Sequence, residues 1–203
     1  MEKDVEKSLA KEPDLSYGNY TYADYLTWEM EEMVELIKGK IFKKAAAAPR
    51  RIHQWLTGIL FREMSLFLKG KKCQAYIAPF DVRLPVKSQK DDKIHTVVQP
   101  DICVICDEEK LDDRGCIGAP DLVVEVLSPG NKQVELQHKY EVYEESGVTE
   151  YWLVDPESQT LLIYSLVNGK YQASRLMTIG DIAKSAVLIG FELNLEEFFG
   201  DFR

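Results

Sequence analysis

The sequence has no apolar run approaching the ~20 residues that a bilayer-spanning helix needs, so no membrane partner is expected. Its start, "MEKDVEKSLAKEPDLSYG", has no signal-peptide hydrophobic stretch, and the expected location is the cytoplasm. Histidine is sparse, with three residues in 203, and none stands in a nucleophile-elbow context, which argues against Ser-His-Asp chemistry. His53 falls in a helical stretch and is expected to be solvated. No GxGxxG or GxxxxGK[ST] phosphate loop occurs, so a doubly wound nucleotide fold is not expected. The four cysteines, Cys73, Cys103, Cys106 and Cys116, are spaced unlike a disulfide framework, and reduced thiols are predicted. "CVIC" has CxxC spacing but lies in a predicted strand, where Cys103 and Cys106 point to opposite faces. With no second CxxC to complete a site, zinc and redox chemistry are set aside.

Positive charge is also short. Lys and Arg number 25 against 34 Asp and Glu, and the net charge of −9 excludes a protein that coats nucleic acid non-specifically. The balance is local, however: Lys38 to Arg62 holds seven basic residues and no acidic one. That stretch is either a solvated surface or a phosphate-facing patch beside an acidic site.

What remains is an ordinary globular composition with enough chain for one core, expected over residues 19–203 behind a flexible tail at 1–18. "YTYADYLTWEMEEM" predicts a short helix, and "VELIKGKIF" two strands turned at Lys38-Gly39. Ile52, Leu56, Ile59, Leu60 and Phe67 mark the clearest helix, ending near Gly70. "CQAYIAPFDVRLPV" and "VVQPDICVI" read as strands, and "CDEEKLDDRGCIGAP" as a loop. A second helix is predicted over about 132–145, then strand "EYWLVD" and a hairpin through Asn168-Gly169. "GFELNLEEFF" closes as a strand running into a helical turn. The fold class is α/β (α+β), a mixed sheet flanked by helices.

Chemistry enters with "PDLVVEVLSPG". Glu125 sits inside a run that is otherwise a buried strand, and an unpaired carboxylate there would cost several kcal/mol. Either this is an edge strand with Glu125 facing solvent, or the carboxylate is compensated. The upstream strand carries Asp101 after a proline. If the two strands pair, Asp101 and Glu125 converge, and Mg²⁺, which accepts one or two carboxylates, is a natural bridging ion. On the second helix Lys139 shares the stripe of Leu136, Tyr140 and Tyr143, which would aim it inward. Its four-residue spacing from Glu135 suits an ordinary surface ion pair equally.

Asp101 in "QPDI", Glu125 in "APDLVVEVLSP" and the run "KYEVYEESGVTEYWLVDP" resemble the restriction-endonuclease-like PD-(D/E)xK superfamily, and within it the bacterial Uma family. "VELIKG", "PRRIHQ" and "APFDVRL" extend the resemblance from about Thr21 through Phe199. It implies a metal-dependent endonuclease acting on DNA, with Mg²⁺ as cofactor and Mn²⁺ able to substitute. Asp101, Glu125 and the backbone carbonyl of Val126 would hold the ion, and Glu35 matches a carboxylate that joins it. The half-motif's lysine position is Leu127, and Lys139 takes that role from the following helix. Glu135 and Lys38 stand where relatives usually carry Asp. The resemblance also implies a homodimer. The rival expectation is a nuclease fold kept as an inactive module for DNA or protein binding.

Overall fold

Lys38 and Gly39 both adopt positive φ, 50° and 80°, and turn β1 (Val34–Ile37) tightly into β2 (Lys40–Lys43). A two-residue hairpin needs that twist, and glycine supplies half of it without strain. The computed structural model describes residues 13–14, 18–29, 33–43, 50–128 and 133–200. The tail expected at 1–18 therefore lies almost wholly outside the described residues.

Helix α1 (Tyr22–Tyr25) is a single turn held by a capping box between Thr21 and Asp24. Helix α2 (Arg51–Leu68) follows the predicted stripe and buries Leu56, Ile59, Leu60 and Met64. Then come β3 (Gln74–Ile77), β4 (Val82–Arg83), β5 (Val97–Val98), β6 (Ile102–Ile105), β7 (Leu111–Asp112), β8 (Gly115–Ile117) and β9 (Leu122–Val126). Helix α3 (Gln133–Ser146) precedes β10 (Glu150–Asp155), β11 (Thr160–Val167), β12 (Lys170–Ala173) and β13 (Met177–Thr178). The chain ends in β14 (Ile182–Lys184), β15 (Glu192–Asn194) and α4 (Leu195–Gly200).

Two main sheets form. One runs β2-β1-β5-β4-β8-β7; the other runs β12-β11-β10-β9-β6-β3, with β13 alongside β11. Strand β9 is interior, parallel to β10 and antiparallel to β6, and all five of its residues are buried. That placement explains its near-continuous apolar run, since both of its faces are covered. On one face, Leu56, Leu60 and Met64 of α2 join the core of Ile102, Val124 and Trp152. On the other, Val142 and Tyr143 of α3 join Cys103, Val123 and Tyr151.

Three expectations change. "VVQPDICVI" is not one strand: β5 and β6 belong to different sheets, and Gln99-Pro100 carries the chain between them. Pro100 has no N–H to donate to a ladder, so the strand ends there. "CDEEKLDDRGCIGAP" is not merely a loop, because β7 and β8 pair within it and β8 adds parallel to β4. Finally, Cys73 and Cys106 form a disulfide rather than remaining reduced. Gln74 pairs with Ile105 in the β3–β6 ladder, so the next two residues outward are those cysteines facing each other. Cys103 and Cys116 stay free and buried. Burial raises both thiols, Cys116 to about 12, which leaves them poor nucleophiles. No described helix is long and apolar enough to cross a membrane.

Candidate active site

Glu125 is 6% exposed on an interior strand, so the edge-strand alternative fails and the carboxylate is compensated. The β6–β9 ladder pairs Ile102 with Val124, and its next step sets Asp101 opposite Glu125. Facing residues of an antiparallel pair lie close enough to interact. Asp101 is anchored where the ladder ends: its Oδ2 accepts the Val126 N–H at 2.8 Å, and His53 Nε2 of α2 lies 3.3 Å from the same oxygen. The His53 side chain is only 12% exposed, so it is not the solvated histidine expected from the sequence.

Lys139 reaches in from α3. Its ammonium donates to Glu125 Oε1 at 2.8 Å and lies 3.1 Å from Glu35 Oε1 on β1. The inward reading of the helix stripe therefore holds, and the lysine is 2% exposed rather than a surface partner of Glu135. Burial works against its charge, but Glu125, Glu35 and Asp101 outweigh that cost, and its pKa is raised well above the ordinary lysine value. One helical turn on, the Tyr143 hydroxyl donates to the same Glu125 Oε1 at 2.8 Å. Burial, then Glu125 and Glu35, raise the phenol well above its usual range, which keeps it a proton donor in this bond. Glu35 is steadied by the Gln99 backbone N–H, 2.8 Å from Oε1.

The cluster thus gathers Asp101, Glu125 and Glu35 around one lysine, away from water. Hard carboxylate oxygens such as these suit a hard dication. Among the described residues no group of three or more His, Cys, Asp or Glu side chains stands ready to hold an ion. A Mg²⁺ site needs fewer, since one or two carboxylates with waters suffice, and the Asp101–Glu125 pair fits that requirement. Tyr143, His53 and Gln99 are contributors that residue spacing did not single out. Tyr143 had a signal in its position four residues after Lys139, whereas His53 and Gln99 become visible only when α2 and β5 are set against the site. Three of the seven basic residues in the stretch from Lys38 to Arg62 form exposed ion pairs, Lys38 with Glu145, Arg50 with Glu157 and Arg62 with Glu63. Residues 44–49 of it lie outside the described residues.

The mixed β-sheet flanked by helices is the restriction-endonuclease-like fold class anticipated from the motifs. The profile of the Uma2 family, described as "Putative restriction endonuclease", matches residues 22–196, and the chain belongs to that family. Among solved structures it is similar to one described as "a putative nuclease belonging to DUF820" from Anabaena variabilis. The two superpose with a TM-score of 0.70 at 20% identity, over 89% of this chain and 98% of that one, a likeness of fold. None of the curated proteins matches the chain.

Proposed function

We propose that this protein is a Mg²⁺-dependent endonuclease that hydrolyses DNA phosphodiester bonds, with Mn²⁺ able to substitute. The observation that carries the reading is the buried Lys139 held between Glu125 and Glu35, beside Asp101. Asp101, Glu125 and the Val126 carbonyl would hold the ion, while Glu35 is drawn to Lys139. Once bound, the ion would polarise the scissile phosphate and lower the pKa of a water. Lys139, kept cationic by its two glutamates, orients the attacking water and offsets charge developing on the phosphoryl oxygens. Tyr143 fixes one oxygen of Glu125, and His53 with the Val126 N–H fixes one oxygen of Asp101. Cutting both strands of a duplex at one place would call for a homodimer, which sedimentation would reveal.

The test is incubation of the purified protein with supercoiled, linear and single-stranded DNA in Mg²⁺ or Mn²⁺. Cleavage that is lost with EDTA and in the Lys139→Ala variant is expected; DNA left intact on every substrate with both ions would refute the proposal. The net charge of −9 and the ion-paired Arg50 and Arg62 favour a second reading, an inactive binding module. It predicts DNA or protein bound and no strand broken.

A further inference from the structure

We infer that Gln99 is a positioning residue, which locks together the arm of the site that carries Asp101 and the arm that carries Glu35 and Lys139. Its kinetic consequence rests on the nuclease reading; its structural consequence does not.

The β4–β5 ladder pairs Val82 with Val98, and its next step sets Asp81 opposite Gln99. There the Gln99 amide Nε2 donates to Asp81 Oδ1 at 2.8 Å and to the Tyr25 hydroxyl at 3.2 Å. Tyr25 in turn donates to Asp81 Oδ1 at 3.4 Å, closing a triangle, and Tyr22 donates to Oδ2 at 3.2 Å. Gln99 is thereby tied through its side chain to α1 and to the start of β4. Through its backbone N–H it holds Glu35 Oε1 at 2.8 Å, and Glu35 is one of the two anions around Lys139.

The chain direction supplies the other arm. Pro100 follows, with a fixed φ and a restriction on the residue before it, so the anchored Gln99 leads rigidly into Asp101. The Asp101 carbonyl is itself pinned by the Ala78 N–H at 3.1 Å. Gln99 is 8% exposed, and a residue chosen there for packing alone would be apolar. An amide at this point instead sets the separation between the Asp101 arm and the Lys139 arm. Misplacing reacting groups by about 1 Å can cost up to ~100-fold in rate, so this joint is one to which turnover is sensitive.

The experiment compares Gln99→Met, Gln99→Glu and the pair Gln99→Glu with Asp81→Asn. Two readouts are used: kcat and KM on DNA with Mg²⁺, and the ¹⁵N resonance of the Lys139 ammonium, assigned by its loss in Lys139→Met. Gln99→Met is expected to lower kcat about tenfold with KM held within about twofold, and to shift or broaden the ammonium resonance. Gln99→Glu should be worse, since it sets carboxylate against carboxylate. The double variant exchanges donor and acceptor and should recover most of the loss, which a space-filling role would not permit. A folded Gln99→Met protein with wild-type kcat and an unmoved resonance would overturn the inference, as would a double variant no better than Gln99→Glu. Should Gln99→Met fail to fold, Tyr25→Phe, at the outer corner of the triangle, must move the same resonance or the inference falls. If the wild type cuts no DNA, the nuclease reading fails while the resonance still decides the role of Gln99.

Discussion

Lys139 and Tyr143 share one acceptor oxygen on Glu125, but their removal has different consequences. Replacing Lys139 with Ala leaves Glu125 and Glu35 facing each other out of water. Urea unfolding should show a loss of about 3–5 kcal/mol, and DNA cleavage should vanish. Tyr143→Phe removes one hydroxyl and little volume. It should cost about 1.5–3 kcal/mol in the same assay, the usual worth of a hydrogen bond to a charged group, and lower the cleavage rate without abolishing it. Asp101→Asn keeps size and shape but weakens the hard-anion character of the pair. Calorimetry should show Mn²⁺ binding lost or weakened at least about tenfold, with little change in thermal stability.

Two elements away from the site hold it in register. Gly115, the first residue of β8, has φ of +126°, and a Cβ there would lie 2.2 Å from the Asp81 carbonyl oxygen. That carbonyl accepts the Cys116 N–H at 2.8 Å, so β8 is stitched directly onto the segment that anchors Gln99. Gly115→Ala should lower stability by about 2–3 kcal/mol in thermal melts, through both the strained backbone and the clash. Glu150 of β10 is fully buried and accepts from the Trp152 indole, the Ser185 hydroxyl at 3.2 Å, and the Ala186 and Val187 N–H groups at 2.7 and 3.0 Å. It is a clasp between the sheet and the loop after β14, which accounts for another buried carboxylate inside an apolar strand. At this scale much of the fold was legible. The stripe of α2, the Lys38-Gly39 and Asn168-Gly169 turns and the apolar run of β9 follow from local periodicity and turn chemistry. The break in "VVQPDICVI" was signalled by Pro100, but its result, two strands in two sheets, was not.

Across the whole molecule, the cysteines test the packing. Denaturing the protein without reductant should expose two titratable thiols, Cys103 and Cys116, and reduction should raise the count to four. Four thiols without reductant would show that the β3–β6 register does not lead to a bond. An overall charge of −9 and basic side chains paired at the surface imply that DNA, if bound, is held through few phosphate contacts, so its affinity should fall only shallowly with salt. A filter-binding series in salt would measure it.

The sequence by itself determined most of the elements and the carboxylate of Glu125 inside an apolar run, because each depends on residues within a few positions of one another. Only the tertiary structure decided that β9 is interior, that Asp101 meets Glu125, that Glu35 joins Lys139 and that Cys73 meets Cys106. Those are matters of strand order and register, set by which apolar faces bury together across long separations in the chain, and no local pattern encodes them.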